Sequence, residues 1–385
     1  MGSHITDLPK LYIETPCIPS PELSRVAGCN IYLKLENLQP SGAFKSRGIG
    51  RLMSQSLLSS STGRRAHFYC SSGGNAGLAC AEAARALRQP CDVFVTLATP
   101  AHVVAKLAAL GAAPHRVGDA WPEADARCRE VLASDPDGVY VAPFDHPLIW
   151  DGHATLVDEL AALEKSNGFF PSSSSSSGII DAIVCNVGGG GLLNGVMEGV
   201  ERNYAAAAAA SSGRRRRPTV LALETAGADS LAASLRAGSH VTLPAITSIA
   251  TTLGAPRVSD RTYQWAEICG ATLFTPTTPA TTPVKKPTPA SGIIQGSKRL
   301  VSAVVSDADA VEACARFLDD ARLLVEVSCG ATIASAYRAE TILRPALAPD
   351  ADDETWARMN IVLVVCGGSN ISMDMLAEYR VRFGV

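Results

Sequence analysis

The sequence predicts an α/β protein built on parallel sheets. The runs Ile179–Cys185 and Ile361–Val365 are almost continuously apolar, which is typical of strands covered by helices on both faces. Two shorter runs, Ile31–Leu35 and His67–Cys70, also have the composition of strands. A helical pattern of apolar residues follows the second run. Strands that alternate with helices along a chain favour parallel sheets.

The octet Ser41–Gly48 places Lys45 just after the first of these strand-like runs. Pro40, Ser41 and Gly42 end the strand, so Lys45 is expected near the start of the next helix. Backbone N–H groups and the positive end of the helix dipole favour an anionic ligand there. A lysine in this setting suits covalent chemistry, and the alternative is a solvated lysine on a loop.

Three further strand ends run into glycine-rich segments, Ser71–Gly77, Gly188–Gly191 and Cys366–Asn370. Glycine lets backbone amides approach a small anion, so the first segment suits a carboxylate and the second a phosphate. Each loop alone could use glycine only for its geometry. Taken together with Lys45, the loops indicate a binding site.

The common nucleotide motifs are absent from the glycine runs. The tetraglycine run has Asn194 where a G-x-G-x-x-G motif needs its last glycine, and no glycine run ends in Gly-Lys-Ser/Thr. A phosphate site without either motif favours a compact phosphorylated cofactor.

At this point the chain resembles the pyridoxal-phosphate enzymes of the tryptophan-synthase-β fold type, and within them the L-serine/L-threonine dehydratases. The likeness covers nearly the whole chain. The features that carry it, in chain order, are Lys45 in its octet, the loop Ser72–Gly77, Gly188–Gly191, Glu224 in the turn Leu223–Thr225, and Cys366–Gly368.

The resemblance implies a two-domain α/β fold, fold type II, in which each domain is an open, mostly parallel sheet flanked by helices. We expect residues 1–59 and 151–385 to form the large cofactor-binding domain. Residues 60–150 are expected to form a small domain that closes over the substrate.

The resemblance also assigns roles to residues of this chain. Lys45 would hold pyridoxal 5'-phosphate as a Schiff base and then move the substrate's α-proton. Phe44 would pack on the pyridine face, and Asn75 would bind the phenolic oxygen. The predicted cofactor-binding residues are Phe44, Lys45, Asn75, Gly188, Gly189, Gly190, Gly191, Leu192 and Cys366. The predicted substrate-binding residues, which receive the carboxylate, are Ser72, Gly73, Asn75 and Ala76.

Cys366 narrows the class of pyridoxal-phosphate enzyme that the resemblance implies. In dehydratases a serine, threonine or cysteine here faces the pyridine nitrogen, and cysteine resembles the animal-type and fungal catabolic serine dehydratases. A neutral partner does not enforce protonation of the ring, which leaves the ring a weaker electron sink. The alternative for Cys366 is an ordinary buried thiol.

The resemblance also implies a site for a monovalent cation such as K⁺. Its expected ligands are Glu224 and backbone carbonyls near Ala228, Ser230 and Leu253. The alternative for Glu224 is a carboxylate that caps the turn before Gly227.

The implied reaction is α,β-elimination, which converts L-serine to pyruvate and ammonia and L-threonine to 2-oxobutyrate. Alternatives within the fold are a serine racemase, a β-replacement enzyme or a catalytically silent cofactor-binding homologue. Gly73 leaves the preference between serine and threonine open, and Ser328 stands near a position where alanine is expected. Few residues follow Asn370, so no C-terminal regulatory domain is expected, which favours a catabolic role.

Composition agrees with a small-molecule enzyme. The 385 residues are 47% hydrophobic and 18% charged, and a net charge of −3 gives no general attraction to nucleic acid. An odd count of 11 cysteines without Cys-x-x-Cys spacing favours neither disulfides nor a zinc site. We expect a cytoplasmic protein with an amino-acid substrate, no membrane segment and, by the resemblance, a homodimer.

Three low-complexity segments are expected to be surface-loop insertions. They are Ser172–Ser177, Ala205–Ala210 running into Arg214–Arg217, and Thr275–Pro289.

Overall fold

The computed structural model describes residues 8–59, 65–166, 169–170, 179–210, 217–275 and 300–385, without the side chains of 206–210. The segment Ser172–Ser177 lies outside the described residues, as does most of Thr275–Pro289 and of Arg214–Arg217. The segment Ala205–Ala210 was expected in a loop but continues a helix to its last residue. Alanine has the highest intrinsic helix propensity, which accounts for the difference.

The elements alternate along the chain as an α/β protein requires. The strands of the described residues are β1 (Cys17–Pro19), β2 (Asn30–Lys34), β3 (His67–Cys70), β4 (Cys91–Val95), β5 (Ala113–Arg116), β6 (Gly138–Tyr140), β7 (Ala182–Asn186), β8 (Thr219–Thr225), β9 (Thr272–Phe274), β10 (Leu300–Val305) and β11 (Asn360–Val364). The α-helices are α1 (Pro21–Ala27), α2 (Lys45–Ser59), α3 (Asn75–Leu87), α4 (Ala101–Ala109), α5 (Trp121–Leu132), α6 (Pro147–Lys165), α7 (Gly191–Ala210), α8 (Ser230–Ala237), α9 (Asp260–Cys269), α10 (Asp307–Ala321), α11 (Val327–Tyr337), α12 (Arg344–Leu347), α13 (Asp353–Ala357) and α14 (Met373–Phe383).

The chain divides into two compact units. The first contains Met1–Glu14 and Asn37–His153, and the second contains Thr15–Glu36 and Ala154–Val385. The predicted small domain, residues 60–150, lies within the first unit, which also includes residues 37–59. These extra residues belong there because α2 packs against α3.

The first unit is built on a four-stranded sheet in the order β5-β4-β3-β6, with every pair parallel. Its core joins the sheet to α2 and α3 through fully buried side chains, among them Ile49, Met53, Phe68 and Leu78. Burial of each such side chain contributes about 1.5–3 kcal/mol, so α2 is held in this unit by its apolar face.

The second unit is built on a seven-stranded sheet in the order β1-β2-β11-β7-β8-β10-β9. Only the β1–β2 pair is antiparallel among the strand pairs of the described residues. Every residue of β7 and β11 is buried, as expected for strands covered on both faces. The predicted α/β class with mostly parallel sheets is therefore confirmed.

Ligands of open parallel sheets bind beyond the carboxyl ends of the strands. In the first unit, β3 is followed by Ser71–Gly74 and then by α3. In the second unit, β7 is followed by residues 187–190 and then by α7. The glycine segments thus lie where helix N-termini face a potential ligand. No helix in the described ranges is both long and apolar enough to cross a bilayer.

Candidate functional site

A tight turn sets the position of Lys45. Gly42 has φ +80° and its N–H donates to Gln39 O at 2.7 Å. The hydroxyl groups of Ser41 and Ser46 lie 2.8 Å apart, and Ser41 N–H donates to Ser46 Oγ at 3.2 Å. These bonds close the loop onto the first turn of α2, and α2 begins at Lys45 as the sequence predicts.

The amine of Lys45 has a neutral hydrogen-bond acceptor. Its Nζ donates to Pro143 O at 2.6 Å and lies 5.2 Å from the centroid of the Phe44 ring. A backbone carbonyl thus orients the amine, which lies near an aromatic face.

The loop Ser71–Gly74 is compact because glycine occupies its closest approach. A Cβ on Gly77 would overlap Ser72 O and lie 3.1 Å from Val93 Cγ1, so a larger residue does not fit there. Gly74 N–H donates to Ser72 Oγ at 3.3 Å. Asn75, which is buried, is the first residue of α3. The structure thus groups the predicted residues Ser72, Gly73, Asn75 and Ala76 at one helix N-terminus.

Residues that sequence reasoning missed support this loop from neighbouring elements. A Cβ on Gly73 would lie 2.7 Å from Thr99 Oγ1, so Thr99 bounds the space beside Gly73. Trp121 Nε1 donates to Ser71 O at 2.7 Å. The sequence could have indicated Thr99, because it follows the end of β4 and the carboxyl ends of parallel strands lie at the same edge of a sheet.

Asp125 anchors the start of the same loop. Its carboxylate accepts hydrogen bonds from Ser71 Oγ at 2.5 Å and from the Tyr140 hydroxyl at 2.6 Å. Burial by itself would raise the pKa of Asp125, but these bonds and the one from Arg129 outweigh it, so the pKa lies below its ordinary value. The carboxylate therefore stays charged and holds Ser71 in place.

The tetraglycine segment of the second unit is wedged between two other segments. A Cβ on Gly188 would lie 3.0 Å from Leu253 Cα. Gly190 has φ +94°, and a Cβ there would overlap the Thr262 hydroxyl and lie 2.8 Å from Thr262 Cβ. Thr262 cannot easily yield, because its hydroxyl bonds to Asn194 Oδ1 and to Ser259 Oγ at 2.9 Å each.

This segment fits a phosphate group. Within the described residues, the N–H groups of Gly188, Gly189 and Gly190 donate no hydrogen bond to the protein. Gly191 opens α7, whose first N–H groups have no partner inside the helix. A run of free N–H groups at a helix N-terminus is a suitable cradle for a dianion.

Cys366 is buried beside the side-chain amide of Asn186. Asn186 Nδ2 donates to Cys366 Sγ at 3.1 Å and to Ser328 O at 2.7 Å. The hydrogen bond with Cys329, together with burial, raises the pKa of the Cys366 thiol well above its ordinary value. Cys366 is therefore a neutral thiol at physiological pH.

A buried carboxylate fixes the turn that follows Cys366. Glu326 Oε1 accepts hydrogen bonds from Thr252 Oγ1 at 2.6 Å and from Ser328 Oγ at 2.5 Å. Gly368 has φ +118°, and a Cβ there would overlap the Glu326 carboxyl group. Ser328, which stands near a position where alanine is expected from the sequence, is one of the hydrogen-bond partners of Glu326.

Glu224 lies fully buried under the N-terminus of α8. Its two carboxylate oxygens accept from Leu231 N and Ala232 N, both at 2.8 Å. Burial raises the pKa of Glu224 from 4.5 to about 8, against the lowering by these two bonds. Ser230 Oγ is buried nearby at the first residue of α8 and has no partner among the described residues.

Leu253, another residue of the predicted cation site, lies beside Gly188. The described residues contain no group of three or more His, Cys, Asp or Glu side chains that could hold a metal ion. All eleven cysteines are free thiols.

This chain belongs to the pyridoxal-phosphate dependent enzymes, since it matches that family over residues 8–275. The resemblance that the sequence motifs indicated is therefore confirmed. The lysine at a helix start and the phosphate-sized glycine cradle are the features of the structure that agree with it.

Particular relatives extend the likeness over the whole chain. Mouse "Serine dehydratase-like" is 39% identical, covering 96% of this chain and 94% of the relative. Bovine "L-serine dehydratase/L-threonine deaminase" is 38% identical, covering 97% of each chain. The solved structure of a fungal L-serine ammonia-lyase from Rhizomucor miehei matches with a TM-score of 0.76 at 30% identity, covering 97% of this chain and 99% of that chain.

Proposed function

We propose that this protein is an L-serine ammonia-lyase that converts L-serine to pyruvate and ammonia, and that also converts L-threonine to 2-oxobutyrate. The single observation that carries the proposal is the 38% identity, over 97% of each chain, to the bovine protein named "L-serine dehydratase/L-threonine deaminase". Serine loses its α-proton and its β-hydroxyl group, which together leave as water, and hydrolysis of the resulting enamine gives pyruvate and ammonia.

Lys45 has the central role in the proposal. Bound pyridoxal phosphate withdraws electrons from the substrate's α-carbon and so acidifies its proton. Lys45 binds the cofactor through Nζ, and once the substrate displaces it, the same Nζ removes the α-proton. The hydrogen bond from Nζ to Pro143 O, 2.6 Å long, supports this role because it orients the amine at the start of α2.

The loop after β3 orients the substrate in the proposal. The hydroxyl of Ser72 and the N–H groups of residues 73–76 bind the substrate carboxylate at the N-terminus of α3. Two features support this: the positive end of the helix dipole lies there, and Gly77 allows the compact backbone. Asn75 binds the phenolic oxygen of the cofactor.

Other proposed contacts hold the cofactor itself. Phe44 packs on its pyridine face, the N–H groups of Gly188–Gly191 and Leu192 bind its phosphate, and Cys366 faces its pyridine nitrogen. The raised pKa of Cys366 supports the last contact, since a neutral thiol can donate a hydrogen bond to a ring nitrogen.

We predict that Cys366→Ala weakens cofactor binding about threefold to tenfold, the range of one neutral hydrogen bond. Cys366→Ser, which keeps a donor, should bind the cofactor within about twofold of the wild type, on the same scale. Absorbance titrations of cofactor-free protein with pyridoxal phosphate give both affinities. Equal affinities for all three proteins would leave Cys366 as an ordinary buried thiol.

We also propose that K⁺ binds beside Glu224, with the carbonyls of Ala228, Ser230 and Leu253. Burial of the Glu224 carboxylate and the orphaned hydroxyl of Ser230 support the proposal. A cation there would offset the cost of ionising a group that burial otherwise keeps protonated.

The pH dependence of stability tests the Glu224 proposal. With its pKa raised to about 8 in the folded state, Glu224 keeps its proton after the unfolded chain has lost it near pH 4.5. Its stabilising contribution is therefore complete below pH 4.5 and lost as the pH rises through about 8. The Tm of Glu224→Gln should rise relative to the wild type across that window, and KCl should stabilise the wild type more than the variant at alkaline pH. A Tm difference that is independent of both pH and K⁺ contradicts the proposal.

A coupled assay tests the proposed reaction. The protein loaded with pyridoxal phosphate is given L-serine, lactate dehydrogenase and NADH, and loss of NADH reports pyruvate. Visible absorbance together with NADH loss supports the ammonia-lyase. Absorbance without pyruvate favours the alternatives, and chiral analysis for D-serine then separates a racemase from a β-replacement enzyme or a silent homologue.

Assembly and compartment are proposed from the cysteine content and from analogy with the family. The eleven free thiols suit the reducing cytoplasm, where we propose that the protein resides. We also propose a homodimer by analogy with the family, and light scattering of the purified protein measures this directly.

A further inference from the structure

The imidazole of His153, in the second turn of α6, is completely buried against the first turn of α2. Two glycines permit the approach. A Cβ on Gly152 would lie 2.5 Å from Arg47 O, and a Cβ on Gly48 would lie 2.5 Å from His153 Cε1 and 2.7 Å from its Nε2. The backbone of α2 therefore lies directly against this ring.

Lys45 is bracketed by the residues that contact the ring. Phe44 lies against His153 with ring centroids 4.8 Å apart, and Gly48 contacts it one helical turn later. Residues three or four apart in a helix share one face, so Lys45 and Gly48 are neighbours on the side of α2 that faces His153.

The His153 ring lacks the hydrogen bonds that a buried imidazole requires. Neither Nδ1 nor Nε2 has a partner among the described residues. Leucine or phenylalanine would fill the same space without leaving two buried polar atoms unsatisfied. Packing alone therefore does not explain a histidine here.

Burial, assisted by neighbouring positive charges, favours the neutral form of the His153 ring. Burial, followed by the positive charges of Lys45 and Arg47, lowers the pKa of His153 well below its ordinary value. The nearest acidic residue on α6, Asp151, forms an exposed ion pair with Arg51 at 3.0 Å. A neutral imidazole always retains one nitrogen with a free lone pair, which is a hydrogen-bond acceptor.

We propose that His153 is a positioning residue for Lys45, a hydrogen-bond acceptor for the Lys45 ammonium group both in the cofactor-free protein and after that group has taken the substrate's α-proton. An ammonium group carries three donors, so a bond to His153 is compatible with the one to Pro143 O. The inference rests on the proposed role of Lys45.

The pH dependence of cofactor loading tests this inference. Pyridoxal phosphate is added to cofactor-free protein between pH 6 and 10, and the growth of visible absorbance is timed, because only the neutral amine of Lys45 reacts. His153→Leu removes an acceptor that favours the charged amine, so the pH midpoint of loading should fall by about one unit, the scale of a hydrogen bond to a charged group. His153→Gln keeps an acceptor and should keep the wild-type midpoint.

Two further variants complete the design. His153→Met is a second apolar replacement in case the leucine variant does not fold. His115→Leu is the matched control, since His115 also stacks on a phenylalanine of the same unit, Phe94, at 4.6 Å, and it should leave the midpoint unchanged.

The outcomes separate this inference from the proposed function. A lower midpoint in the apolar variants, restored by glutamine, supports it. A wild-type midpoint in the apolar variants overturns the role of His153 while Lys45 keeps its own. No absorbance in the wild-type protein overturns both.

Discussion

Lys45→Ala should fold normally, lose the visible absorbance of the lysine-bound cofactor and lose pyruvate formation by at least about a hundredfold. The size of the loss follows from the dual role proposed for Nζ, since general acid–base catalysis alone contributes about 10²–10⁴-fold. Stability should change little, because Lys45 is the first residue of α2 and its side chain is not part of the hydrophobic core. The measurements are an absorbance spectrum, the coupled NADH assay and a thermal melt.

Lys45→Arg is the control for charge. Arginine keeps a positive group able to donate to Pro143 O, but its guanidinium does not lose a proton and cannot act as the amine does. It should therefore match the alanine variant in lacking absorbance and activity. Substantial activity in either variant would refute the mechanism proposed for Lys45.

Gly190→Ala should destabilise the fold by about 2–5 kcal/mol and weaken binding of pyridoxal phosphate at least tenfold. Two effects add. A side chain at φ +94° is strained, and its Cβ would overlap Thr262, which is fully buried and bonded to Asn194 and Ser259. Relief of the overlap must displace either Thr262 or the segment that cradles the phosphate. Thermal melts and cofactor titrations measure the two losses.

The variant Gly111→Ala distinguishes the effect of backbone strain at positive φ from that of steric overlap by the new Cβ. Gly111 has φ +87°, close to that of Gly190, but a Cβ there meets nothing within 4 Å. This variant should lose only about 1 kcal/mol, from strain alone, and should bind the cofactor normally. If the two variants lost equal stability and both kept their cofactor affinity, the cradle would not depend on the contact between Gly190 and Thr262.

Local sequence was sufficient for much of the candidate site. The start of α2 at Lys45 follows from Pro40, Ser41 and Gly42, which break the preceding strand. The glycine segments after β3, β7 and β11 were visible because apolar runs end abruptly in glycine. These patterns involve residues close together in the sequence, so they can be detected without knowledge of the tertiary structure.

Contacts between residues far apart in the sequence could not be predicted from local patterns. Thr99 beside Gly73, and Thr262 against Gly190, come from segments far away in sequence. The same holds for the assignment of residues 37–59 to the first unit, which depends on packing of α2 against α3. No local pattern specifies which distant residue will fill the space above a glycine.

The sequence by itself determined the α/β class, the strand-to-glycine transitions and the position of Lys45 at the start of a helix, because hydrophobic periodicity and backbone-breaking residues act within a few positions. Only the tertiary structure decided that Glu326 holds the Gly368 turn, that Glu224 lies buried with its pKa raised to about 8, and that His153 lies between Phe44 and Gly48. Burial and hydrogen-bond partners arise when distant segments pack together, and these set the charge states and positions on which the proposed chemistry depends.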